Sequence, residues 1–276
     1  MSNQFLDETL KNKRSAGQNI VVPYIMAGDG GLDILEERLI FLEESGAAAV
    51  ELGIPFSDPT ADGPTIQDAG QRSLKNGTTL KGVLEALETF KEKRSIPVIL
   101  MTYINPVFAY GPDKFAADCV TAGVNGVIIP DLPLEEESLI ADSLKQHSIS
   151  NIRLAAMTSP DERLTEIARR TEGFLYAVSV KGTTGARTSH GSNVQAYLQN
   201  LQGMTDTPVL AGFGVSTPEQ AQDLSASCGG VIIGSRIVDW FHKGQTNEIK
   251  QLIQNSVKTN PADTTSSQRS ETGSQS

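Results

Sequence analysis

The chain has 276 residues, long enough to bury a core without disulfide or metal staples. It carries 33 acidic against 23 basic side chains, a formal net charge of −10, which excludes a general affinity for nucleic acid or an anionic membrane. Local phosphate binding is still open to it, because backbone N–H groups do that work whatever the net charge.

The first nineteen residues contain no apolar stretch of a secretory leader, and Asp7 and Glu8 fall within them. Phe5, Leu6 and Leu10 recur at helical spacing and predict a short opening helix. Apolar, β-branched runs then follow at 20–26, 47–52, 97–103, 126–130, 152–157, 174–179, 208–212 and 230–234. Between them lie stretches of helical periodicity at 32–45, 79–93, 112–122, 135–147, 161–170, 194–201 and 218–225, with a last apolar helix at 237–241. Ser159 and Thr217 precede prolines where helix caps belong, and Gly46, Gly123 and Gly173 stand where helices stop. Lys91, Lys93 and Arg94 read as a solvated helix end, and Trp240 with Phe241 as helix packing. Strand and helix alternate throughout, which predicts a parallel sheet covered by helices. Eight repeats favour closure into a (β/α)₈ TIM barrel with an extra N-terminal helix. We take residues 1–259 as a single barrel domain and the Ser/Thr/Gln-rich residues 260–276 as a disordered tail. Cys119 and Cys228 read as reduced thiols. No apolar run approaches a membrane span, and the reduced thiols lead to the expectation of a cytoplasmic location.

In the run ending at Leu52, Val50 and Leu52 share one face, and Ala49 and Glu51 share the other. Glu51 therefore stands at the C-terminal end of a strand, facing into the barrel, where chemistry in this fold is carried. Desolvation there raises a carboxyl pKa and suits it to general acid work. The following segment, Gly53–Pro64, holds three prolines and two aspartates, so it is stiff, and Asp62 can fold back over the barrel mouth. Two carboxylates near one cleft suggest a division of labour, one moving protons and one staying ionised. Glycine stretches follow three late strands: Gly182-Thr183-Thr184-Gly185, Gly212-Phe213-Gly214-Val215-Ser216 and Gly234-Ser235. Glycines let backbone N–H groups come close to phosphate oxygens, and Ser235 adds a hydroxyl at a helix start. The three histidines, His147, His190 and His242, show no ligand spacing, so no metal is expected.

The run VELGIPFSDPTADGPTIQ resembles the signature of the tryptophan synthase alpha chain family. The likeness continues through VPYIMAGD, TYINPVF, PDLPLEE, YAVSVKGTTGAR, GFGVSTPEQA and GSRIV, covering Asn19 to Trp240. It implies a barrel lyase that cleaves indole-3-glycerol phosphate to indole and glyceraldehyde 3-phosphate in tryptophan biosynthesis. It puts Glu51 on the catalytic glutamate and Asp62 on the aspartate that accepts the indole N–H. It puts Tyr24, Met101, Tyr176 and Thr184 on substrate-contacting positions, Thr184 orienting Asp62. Gly185, Gly214, Gly234 and Ser235 fall on phosphate-binding positions. Asp58 and Pro59 fall on the loop that meets a beta chain. That partner is expected to form an alpha2beta2 heterotetramer and to carry pyridoxal phosphate, with no cofactor in this chain. Gly30, Thr60, Val180-Lys181 and Arg236 depart from the common pattern and bear on loop closure and coupling.

Three other readings compete. A stand-alone lyase working without a beta chain has the same residues. A Schiff-base aldolase needs a lysine inside the barrel, and Lys181, in a glycine loop beyond its strand, is the one candidate. A pure binding module leaves Glu51 and Asp62 without a purpose.

Overall fold

A computed structural model describes residues 3–179 and 191–258, with the side chains of 191 and 192 left out. Thr184 and Gly185, and with them Lys181, Gly182 and His190, lie outside the described residues. So does the expected tail.

The apolar runs form β1 (Ile20–Met26), β2 (Val50–Gly53), β3 (Val98–Met101), β4 (Val124–Ile128), β5 (Ser150–Asn151), β6 (Arg153–Ala156), β7 (Leu175–Val178), β8 (Val209–Gly212) and β9 (Gly230–Ile233). All pairings are parallel, in the order β5-β4-β3-β2-β1-β9-β8-β7-β6. The two ends of that order, β5 and β6, are separated in sequence by Ile152 alone. The sheet therefore closes on itself as a barrel. The fifth strand expected from the sequence is split. Its first half pairs with β4, and Ile152 N–H still donates to Val127 O at 3.0 Å, but the second half pairs with β7. At the break Arg153 N–H turns to the Thr171 hydroxyl at 3.2 Å.

The helices are α1 (Gln4–Ser15), α2 (Leu35–Glu44), α3 (Pro64–Lys75), α4 (Leu80–Thr89), α5 (Ile104–Tyr110), α6 (Pro112–Thr121), α7 (Ala141–Gln146), α8 (Asp161–Arg170), α9 (Gly191–Met204), α10 (Pro218–Ser225), α11 (Ser235–His242) and α12 (Thr246–Val257). Three of these, α3, α5 and α12, were not expected from periodicity. Thr217 caps α10 as expected, its hydroxyl accepting from Gln220 N–H. Ser159 does not cap α8: Pro160 takes the extended cap position and offers no side-chain acceptor. Gly46, Gly123 and Gly173 all adopt positive φ after helices. Arg94 departs from the solvated reading. It is half-buried and donates to the carbonyls of Ile96, Ala122 and Gly123 at 2.8–3.1 Å, closing the end of α6. Trp240 and Phe241 pack on the helix layer as expected.

Strand alternation sorts the side chains into two clusters. Val50, Leu52, Val98, Leu100, Val209 and Ala211 face the helices. Ile20, Val22, Ala49, Ile99, Ile128, Leu210 and Ile232 fill the barrel interior. Leu6 and Leu10 of α1 join this inner cluster and plug the N-terminal end, while Phe5 points out with 44% exposure. The interior is thus solid from below and opens only at the C-terminal ends of the strands. No helix among the described residues is long and apolar enough to cross a membrane.

Candidate active site

Parallel register sets three side chains in place at the C-terminal mouth. Tyr24 on β1 lies level with Glu51 on β2, and Met101 on β3 lies level with Gly53 two residues above Glu51. Tyr24, Met101 and Tyr176 all belong to the apolar clusters that line the interior and its mouth. The two tyrosine rings fit because glycine faces them. A Cβ on Gly53 would stand 1.9 Å from the Tyr24 hydroxyl, and one on Gly212 would stand 2.3 Å from the Tyr176 ring.

Glu51 is fully buried, and neither carboxylate oxygen has a hydrogen-bond partner among the described residues. Burial pushes its pKa up to about 8, with the Asp62 charge adding to the effect. Asp62 lies in the loop between β2 and α3 and folds back over the mouth. Its charge raises the pKa values of Glu51, Tyr24 and Tyr176. Burial raises the Asp62 pKa as well, while a hydrogen bond from the Tyr103 hydroxyl works in the opposite direction and favours the ionised form. Gln67 Nε2 donates to the Asp62 carbonyl at 2.8 Å and fixes the start of α3 beneath it.

Behind this loop, Arg72 of α3 grips the buried Asp29 carboxylate with two hydrogen bonds of 2.7 Å. Ser73 and Asn76 donate to the carbonyls of Ala27 and Gly28. The helix that follows Asp62 is thereby stitched to the loop that follows β1.

Further round the same rim stand Gly214, past β8 at φ +73°, and Gly234, past β9 beside Tyr24 and preceding α11. The Gly234 carbonyl accepts from Ile237 and Val238. The N–H groups of Ser235 and Arg236, in the first turn of α11, have no acceptor within that helix. Asp58 is exposed and Pro59 half-buried at the tip of the β2–α3 loop. The described residues hold no cluster of side chains suited to a metal. At the opposite end of the barrel an open groove lined by Asp7, Lys11, Arg14, Glu172 and Asp206 mixes both charges and lies away from the carboxylates.

The structure therefore brings together Tyr24, Glu51, Asp62, Met101 and Tyr176, with Gly214, Gly234 and Ser235 on the same C-terminal rim past β8 and β9. Sequence reasoning missed Tyr103. It directly follows a strand at the catalytic end, and that position was the available signal.

A closed parallel barrel with two carboxylates converging at its C-terminal mouth defines an enzyme of the (β/α)₈ class. Comparison with known proteins narrows this. A family model described as "Tryptophan synthase alpha chain" matches residues 10–267. The tryptophan synthase alpha chain of Oceanobacillus iheyensis is 60% identical over 257 residues, 93% of this chain and 98% of that one. The one from Bacillus thuringiensis subsp. konkukian is 47% identical over 90% of this chain and 96% of its own. Among solved structures, the alpha subunit from Legionella pneumophila superposes with a TM-score of 0.82 at 33% identity, covering 91% of this chain and 96% of that one. A chain of Mycobacterium tuberculosis tryptophan synthase does so with a TM-score of 0.84 at 30% identity, covering 93% and 97%. The chain belongs to the tryptophan synthase alpha chain family.

Proposed function

We propose that Glu51 and Asp62 carry out the family's lyase reaction in this chain, the cleavage of indole-3-glycerol phosphate to indole and glyceraldehyde 3-phosphate. The observation that supports it most directly is the contrast between the two carboxyls. Glu51 is buried without a donor among the described residues and holds its proton up to about pH 8, while Asp62 has the Tyr103 hydroxyl to favour its charge. Cleaving the bond between indole C3 and the glycerol carbon begins with a proton delivered to C3. Glu51 is that acid. Protonation leaves a positive indoleninium ring, and its N–H is held by the Asp62 carboxylate. The ionised Glu51 then takes the proton of the adjacent glycerol hydroxyl. The oxygen lone pair forms the aldehyde, the C–C bond breaks, and its electrons restore the neutral indole ring. Tyr24, Met101 and Tyr176 wall the indole, with Thr184 ordering Asp62. The N–H groups around Gly185, Gly214, Gly234 and Ser235 anchor the phosphate, which takes no part in bond breaking.

The same reading has a tryptophan synthase beta chain as partner in an alpha2beta2 assembly, with pyridoxal phosphate on the beta side and the complex in the cytoplasm. Asp58 and Pro59 at the loop tip form part of the contact. Phe108 on α5, 59% exposed near the same rim, adds an apolar anchor. Residues 1–259 act as one barrel domain. The alpha-chain relatives weigh against the stand-alone lyase.

Glu51→Gln tests the assignment: indole release is abolished while indole-3-glycerol phosphate still binds by calorimetry. Turnover like the wild type in that variant refutes it. Indole release measured with and without a beta chain tests the partnership, and a large stimulation is expected.

A further inference from the structure

The β2–α3 loop carries Asp62 near its end; Pro55 and Pro59 stiffen it, and Pro64 opens the helix that follows. Stiffness alone does not place a carboxylate; the loop must also be tied to the barrel. One side chain does this at both ends. Tyr103 sits just past β3, 3% exposed. The backbone on either side of it is fixed: Thr102 N–H donates to Ile128 O at 3.0 Å, and Ile104 N–H donates to the Asp131 carboxylate at 3.0 Å. Its ring stacks on Phe56, near the loop's start, with centroids 5.2 Å apart and planes 29° apart. Its hydroxyl accepts from Ala61 N–H at 3.0 Å, one residue before Asp62.

A phenol oxygen that accepts from an N–H retains its own proton to donate. The Asp62 carboxylate accepts that proton, and the phenol is the donor that a half-buried anion requires. We propose that Tyr103 is a positioning residue for Asp62: its ring and hydroxyl hold both ends of the loop, and its O–H aims the carboxylate at the indole nitrogen. This rests on the role given to Asp62 above. The tip residues Asp58 and Pro59 lie between the two points that Tyr103 holds, so anything that presses on the tip reaches Asp62 through a clamp of fixed geometry.

A double-mutant cycle on the full chain tests this, with kcat and KM for indole release measured in wild type, Tyr103→Phe, Asp62→Asn and the pair. Tyr103→Phe keeps the stack on Phe56 and removes both hydroxyl bonds. It is expected to lower kcat about tenfold, the scale of a hydrogen bond to a charged group. KM and Tm should stay close to wild type. In the Asp62→Asn background the same change should alter kcat less than twofold. An equal loss in both backgrounds, or no loss in the first, overturns the proposal. Full activity in Asp62→Asn alone would instead remove the reading on which the proposal rests, so the two failures are distinguishable.

Discussion

Replacing Glu51 by Gln should cost the enzyme its activity and stabilise its fold, and the stabilisation should depend on pH in a calculable way. The side chain has 0% exposure and no hydrogen-bond partner among the described residues, and its pKa moves from 4.5 to about 8 on folding. Below the unfolded value both states carry the proton and Glu51 makes no pH-dependent contribution. Between the two values the folded chain keeps a proton that the unfolded chain has released, so stability falls by about 1.36 kcal/mol per pH unit. Above about pH 8 both states are ionised and the fall ends, after a total of about 5 kcal/mol. Gln has nearly the same shape and does not titrate. Its buried amide is as poorly partnered as the protonated acid, so the two chains should be of similar stability at low pH. The difference between them should then widen by about 3 kcal/mol between about pH 5.5 and about pH 7.5. Urea unfolding of both chains, each at both pH values, measures this, and taking the difference cancels every other titrating group. A difference that stays flat within about 1 kcal/mol would mean that the folded Glu51 carboxyl is hydrated, and the argument for its acid role would fall with it.

Gly53→Ala puts a methyl group 1.9 Å from the Tyr24 hydroxyl. Overpacking of this kind costs about 1–3 kcal/mol, and the displaced ring should raise KM for the substrate; a Tm scan and steady-state kinetics check the two effects. Arg72→Met leaves the buried Asp29 carboxylate without its bidentate partner. Arg72 is itself 30% exposed, so the expected loss is about 2 kcal/mol, below that of a fully buried pair. Because α3 begins two residues after Asp62, turnover should fall as well, and denaturant titration alongside indole release separates the two. Phe108→Ser should leave Tm and the intrinsic rate unchanged and weaken association with a beta chain by about 1–3 kcal/mol, read by titration calorimetry.

Much of the site was legible because it depends on local pattern. Two-residue alternation across 49–52 sends Ala49 inward and Val50 and Leu52 outward, and that parity directs Glu51 into the barrel. Of the helices that escaped notice, α12 does carry an apolar stripe, Ile249, Leu252, Ile253 and Val257, whereas α3 and α5 lack a strong one. In α3 the buried positions are Ile66, Ala69, Gly70 and Ser73, small residues at helical spacing that let the helix lie close to β1. The short α5 has Pro106 within it. Arg94 was misread because two of its three acceptors, the carbonyls of Ala122 and Gly123, lie nearly thirty residues ahead. Tyr103 was missed for the same reason: its partners Phe56 and Ala61 are more than forty residues earlier, and only the folded loop brings them to its ring and hydroxyl.

The unequal treatment of the two carboxyls follows from where glycine was placed. Gly53 and Gly212 admit the rings of Tyr24 and Tyr176 flat against the barrel wall. Among the described residues Glu51 is closed off from solvent with no donor to either of its oxygens. A single N–H or O–H at hydrogen-bond distance would favour the carboxylate and lower its pKa, and the group would then have no proton to deliver at neutral pH. Leaving a buried polar group unpartnered costs about 1–3 kcal/mol, which evolution ordinarily removes with one small substitution. Asp62, eleven residues along the same segment, has the opposite arrangement, with a phenol at its carboxylate and a backbone tied to the same residue. The lack of a donor to Glu51 among the described residues is therefore as much a part of the site as the donor present at Asp62. Any variant that supplies a hydrogen bond to Glu51 should gain stability and lose rate together.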